Sequence, residues 1–198
     1  SLKAAQAQDA ADDGLGYTCF GGPNADGAGI STTMFAGWVP GMGAVSFPEG
    51  TGIPIAAGSQ FVMQVHYFVA DESYPDQTQI QLTMESSVDL PGEMINISQR
   101  DLALPPGESS VLRSAQEEVW ADGQIWGVAP HMHELGAQFQ LVNNPGTSDE
   151  CIIDIPRWDF NWQYFYFLED SFSVSKGDTL EARCIFDTTD RTEVTDWG

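Results

Sequence analysis

The segment HMHELG, residues 131–136, sets His131 and His133 two positions apart in a chain that has three histidines. Imidazole is the commonest protein ligand for borderline and soft metal ions, so a closely spaced pair is a candidate half-site. Residues i and i+2 of a strand share a face with about 6.6–6.8 Å between their α-carbons, and two imidazoles leaning together can each come to ~2.0 Å from one ion. Spacing alone leaves a second reading open, in which both are polar residues on the wet face of a sheet. His66, in FVMQVHYF, is the third candidate, and a single strand histidine is more often a hydrogen-bonded surface group. No Cys-x-x-Cys or His-Glu-x-x-His pattern occurs, which leaves structural zinc and zincin chemistry unsupported. A Gly-x-Ser-x-Gly elbow and a phosphate-binding glycine loop are also missing from the sequence.

The elements that must position these residues read as β-strands. Turn signals recur at GGPNADG, FPEGTG, LPPGE, NNPG and SKGD, and short runs of β-branched and aromatic residues lie between them. The fold class expected is all-β, with one helix in the Ala/Gln-rich start, about residues 1–13. In QFVMQVHYFV, residues 60–69, Phe61, Met63, Val65, Tyr67 and Val69 form an apolar face, and Gln64 and His66 point the other way. In QIWGVAPHMH, residues 124–133, Trp126, Val128, Pro130 and Met132 are expected on the core side with His131 and His133 opposite. Met132 is then a core residue and not a ligand. DTLEARCIF places Leu180, Ala182, Cys184 and Phe186 on one face. The Pro-Gly turn in SSVDLPGEMINIS suggests a seam near Leu90, giving domains of residues 1–89 and 90–198.

Composition narrows the function classes. The 198 residues are 42% hydrophobic, enough for folded cores. Seven Lys plus Arg against 29 Asp plus Glu give a formal charge of −22, a field that repels nucleic-acid backbones and anionic membrane surfaces. No apolar run approaches the ~20 residues of a membrane span. Cys19, Cys151 and Cys184 leave one cysteine over if any disulfide forms.

Taken in order, CFGGP, FPEGTGIPIAAGSQFVMQVHY, LPPGE, HMHELG, WDFNWQYFYF and GDTLEARCIFDTTDRTEVTDWG resemble the copper type II, ascorbate-dependent monooxygenases, the family of peptidylglycine α-hydroxylating monooxygenase and dopamine β-hydroxylase. The likeness runs through nearly the whole chain and is strongest to bacterial members. It implies two antiparallel, jelly-roll-like β-sandwich domains with a copper on each side of an interdomain cleft. A His-His pair and His66 would hold the first copper, which relays an electron from ascorbate. His131, His133 and a methionine would hold the second, where dioxygen is activated and a C–H bond hydroxylated. Two imidazoles and a thioether suit cuprous copper. Gln64, on the His66 face, would support that site from behind the ligands.

The sequence departs from the family pattern in ways that matter. It has no His-His pair, which in the family lies upstream of CFGGP, and it ends before the family's Asp-Glu-Met-Cys segment. The chain by itself is therefore expected to hold two incomplete copper sites and to be inactive. The resemblance pairs Cys184 with a cysteine beside that methionine and Cys19 with one upstream; Cys151 has no counterpart, and a Cys151–Cys184 bond stays open. Such disulfides imply secretion or a periplasm. Peptidylglycine enzymes carry a carboxylate-binding arginine where this chain has Ala129, which points away from peptide amidation and leaves another small molecule or peptide as substrate. WDFNWQYFYF could line an apolar pocket or pack within a sandwich. The alternative function is a non-catalytic β-sandwich module that keeps the scaffold for binding or structure.

Overall fold

The computed structural model describes residues 2–19, 34–67 and 74–196. The chain divides into two compact units, Ser1–Gly37 with Ala44–Met94, and Trp38–Gly43 with Ile95–Gly198. The seam at Met94/Ile95 falls inside the Pro-Gly segment 86–98. Regular structure among the described residues is nearly all β, and the larger sheets are antiparallel.

The first unit begins with α1 (Leu2–Asp9), built from Ala and Gln, which lose little on entering a helix. Its strand pairing among the described residues is a two-residue parallel contact between β1 (Thr51–Gly52) and β2 (Leu90–Pro91). Residues 59–67 belong to no ladder, contrary to the strand expected there. Phe61, Met63, Val65 and Tyr67, expected on a core face, are between 37 and 64% exposed. Period-2 alternation buries one face only where a second layer packs on it, and no sheet among the described residues takes this segment in. Val69 lies outside the described residues.

The second unit is a sandwich. Its larger sheet runs in the order β3 (Val111–Glu118), β8 (Thr179–Phe186), β5 (Gly136–Asn143), β6 (Glu150–Ile155), with every neighbour antiparallel. The smaller sheet pairs β4 (Gly123–Val128) with β7 (Tyr166–Val174). One core joins them: Val111, Phe139, Leu141, Leu180 and Phe186 from the larger sheet meet Val174 of β7, and Ile125, Val128 and Phe172 pack on the cluster. As expected from its alternation, β8 turns Leu180 and Phe186 inward, with Ala182 and Cys184 partly buried against the same core.

Two features of the sheets depart from simple alternation. β4 carries an irregularity between Ile125 and Gly127, so that Ile125 and Val128 both reach the core while Trp126 stacks on Phe165 and Phe167, with ring centroids 5.9 and 5.6 Å apart. Between the pairs Ile125–Phe172 and Gly127–Phe167 the additional residues lie on β7, and the interrupted ladder breaks the strict period of two. On the opposite side of β8, Glu181 is 8% exposed, not solvated. Burial pushes its carboxyl pKa up, but hydrogen bonds from Gln116 and Arg183 outweigh that and hold it below the usual range. Arg183 also reaches Asp149 at 2.8 Å and so ties β8 to the turn before β6.

The register settles one cysteine pairing. Cys151 on β6 stands opposite Val142 of β5, and Cys184 on β8 stands opposite Phe139 of the same strand. Two strand spacings, about 9.5 Å, separate them before their offset along the sheet is counted, beyond the ~7 Å that a disulfide spans between α-carbons. The Cys151–Cys184 bond left open by the sequence is therefore closed off, and Cys19, Cys151 and Cys184 are all free. Burial pushes the Cys184 thiol up to about 11. Its thiolate fraction near pH 8 is then roughly a hundredfold below that of an ordinary thiol. Alkylation with iodoacetamide, followed by peptide mass spectrometry, should label the exposed Cys151 well before Cys184. Equal rates, or a peptide joining the two in a non-reducing digest, would contradict this register.

Candidate functional site

His131, Met132 and His133 lie in the loop between β4 and β5, just past the end of the strand expected to carry them. Local alternation nonetheless persists: Pro130 is buried, His131 exposed, Met132 buried to 3% and His133 half-buried. Met132 belongs to the core cluster, so its thioether points away from the imidazoles on either side. The chain then turns, Gly136 donating its N–H to the His133 carbonyl at 3.1 Å, and enters β5. A side chain at Gly136 has no room. A β-carbon there would sit 2.8 Å from Trp158 Cδ1 and 2.9 Å from Met132 Cβ.

A second loop, between β6 and β7, closes on the first. It is anchored by Trp158, 7% exposed, whose backbone N–H donates to the Ala137 carbonyl at 2.8 Å. Asp159 caps the following turn, accepting from the Asn161 N–H at 2.9 Å through Oδ1 and from the Trp162 N–H at 2.9 Å through its carbonyl. The turn brings Phe160 edge-on to His133, with ring centroids 6.2 Å apart, and sets Gln163 Oε1 2.5 Å from His131 Nδ1. WDFNWQYFYF is thus divided. Trp158 serves the core, Phe165 and Phe167 pack with Trp126, and Phe160 and Gln163 contact the histidines. The sequence pattern did not single out Phe160 or Gln163, and WDFNWQYFYF carries two amides, Asn161 and Gln163, with nothing to tell them apart.

The two imidazoles stand with ring centroids 5.0 Å apart and planes at 84°. Two rings that each bind one ion through a nitrogen at ~2.0 Å place their centroids about 5 Å apart when the ligand angle is near tetrahedral. The separation of the pair matches that requirement, and among the described residues no cluster of three or more His, Cys, Asp or Glu side chains is placed to hold a metal. Burial lowers the His133 pKa, the neighbouring His131 lowers it further, and Glu134 opposes both. The neutral, ligand-competent imidazole is favoured at that position.

His66 and Gln64 belong to the first unit, and both are exposed. Gln64 Nε2 donates to Cys19 Sγ at 3.1 Å. Next in the chain, the Tyr67 hydroxyl donates to Asp76 Oδ2 at 2.7 Å, linking residues 59–67 to the segment that starts at 74.

A family described as "Copper type II ascorbate-dependent monooxygenase, C-terminal domain" matches residues 95–198, which carry the sandwich of the second unit. The chain is also similar to DBH-like monooxygenase protein 1 of Gallus gallus, 25% identical over 207 residues, which is 92% of this chain and 33% of that protein. It thus spans about a third of that relative's length. The chain belongs to the copper type II ascorbate-dependent monooxygenases. Two neutral imidazoles are donors that copper accepts readily in either oxidation state, so the pair suits the family's metal.

Filling the space at Gly136 tests how tightly the two loops are bound. Gly136→Ala should destabilise the chain by about 1–3 kcal/mol through overpacking. It should also weaken metal binding at the histidines, because Met132 or Trp158 must shift. Unchanged denaturant midpoint and unchanged affinity would show that the close approach is not structural.

Proposed function

We propose that His131 and His133 are ligands of the copper at which a C–H bond of a small molecule or peptide is hydroxylated, with ascorbate as reductant. The observation that carries this is the imidazole pair at 5.0 Å within the span that matches the family. Copper bound there supplies oxygen activation. The chain's own residues do the rest. Met132 keeps both imidazoles on one side, burial of His133 favours its neutral form, and Phe160 packs at right angles to the His133 ring. His66 is proposed as a ligand of a second copper across an interdomain cleft, with Gln64 as a supporting residue there. Ala129, exposed two residues before His131, offers no cationic group to a substrate carboxylate, which points away from peptide amidation.

The alternative is a sandwich module without redox chemistry, and among the described residues no third His, Cys, Asp or Glu side chain joins the two imidazoles. For the same reason an isolated pair should bind copper weakly. Export to a secreted or periplasmic compartment remains part of the proposal, resting on the family and on no disulfide in this chain. Among the described residues, no helix is long and apolar enough to cross a membrane.

Anaerobic titration with Cu(I) separates the two functions. One copper should bind, be lost in His131→Ala and persist in His66→Ala. Binding should weaken as pH falls, because protons compete for the imidazoles, and His133 resists that competition to lower pH than an ordinary histidine. Equal affinity in the native chain and His131→Ala would leave the non-catalytic module as the better reading.

A further inference from the structure

We infer that Gln163 is a positioning residue of this site: it holds the His131 proton on Nδ1 and leaves Nε2 as the nitrogen with a free lone pair. The inference rests on the copper reading of the pair, and deepens it by naming the atom that binds. Its basis is the orientation of one amide. Gln163 Nε2 donates to the Phe160 carbonyl oxygen at 2.8 Å, a partner that only accepts. Exchanging the amide oxygen and nitrogen would set two acceptors against each other there. Oε1 therefore faces His131 Nδ1, at 2.5 Å, and an acceptor at that distance requires a hydrogen on the ring nitrogen.

A neutral imidazole carries one ring proton, so a protonated Nδ1 leaves Nε2 as the only nitrogen able to bind a metal. Free histidine prefers the opposite tautomer, with its proton on Nε2. The glutamine thus reverses the intrinsic preference and exposes the lone pair before any metal arrives. Its own position is fixed by the capped turn at Asp159 and by the Trp158–Ala137 hydrogen bond. Ala137 is the second residue of β5, the strand that follows the histidine loop directly. Ligand and orienting group therefore hang from one strand end, which keeps their separation constant. Such supporting hydrogen bonds around metal ligands typically change metal affinity by about 10- to 100-fold.

The test reads the tautomer without metal. The full chain is labelled with ¹⁵N in histidine, and its three imidazoles are examined by long-range ¹H–¹⁵N correlation above the imidazole titration range, with His131→Ala giving the assignment. His131 should show Nδ1–H in the native chain, revert largely to Nε2–H in Gln163→Ala, and keep Nδ1–H in Gln163→Glu, whose carboxylate still accepts. Cu(I) affinity should fall about 10-fold or more in Gln163→Ala and much less in Gln163→Glu. A native chain with its His131 proton on Nε2 overturns the inference even if the alanine variant does not fold. So does an unchanged tautomer in a folded Gln163→Ala. If the tautomers behave as stated and no form binds copper, the copper reading fails while the role of Gln163 in orienting His131 stands.

Discussion

Burial of Met132 is the constraint on which the site depends. Its side chain enters the sandwich core from a loop, and in an extended segment the neighbours of a buried residue must point outward. Removing an apolar side chain of this size from water is worth about 1.5–3 kcal/mol. That gain is enough to fix the orientation of a short loop that has no strand pairing of its own. His131 and His133 are therefore directed by a residue that is not part of the chemistry. Gly136 completes the arrangement, because only a residue without a side chain lets Met132 and Trp158 meet at the start of β5.

The sandwich converts that local constraint into a geometry. The β4–β5 loop carries the imidazoles, and the β6–β7 loop carries the aromatic edge and the amide that meet them. The two loops are joined at Trp158 and Ala137, so the spacing of the imidazoles is set by packed side chains and a backbone hydrogen bond. Polar groups on the far side of the larger sheet, Glu181, Arg183 and Asp149, satisfy one another and leave the core to apolar side chains. Stability and ligand placement are coupled at Met132 and Gly136, where the packing that fills the core also directs the histidines.

What was legible in the sequence followed one-sided burial. The alternation through Pro130, Met132 and the two histidines, and that of β8, survive because each segment lies on a real core. The same alternation at residues 60–67 misled, because pattern alone does not say whether a second layer is present to cover it. At β4 the irregularity around Trp126 defeated a fixed period. Gln163 was invisible for a different reason: its role comes from a contact 32 residues away, made by a loop whose path depends on the anchoring of Trp158. Cysteine spacing permitted a bond that sheet order forbids, since strand adjacency is a property of topology and not of distance along the chain.

The central claim is that the two imidazoles flanking Met132 form the metal-binding unit of the sandwich. Copper K-edge X-ray absorption on the chain loaded with one equivalent of Cu(I) addresses it most directly, because imidazole rings give characteristic multiple scattering and thiolates give a heavier nearest neighbour. Two imidazole ligands per copper, reduced when either His131 or His133 is replaced, is the expected spectrum. A sulfur-dominated shell arising from Cys19, Cys151 or Cys184, unchanged by those replacements, would contradict it.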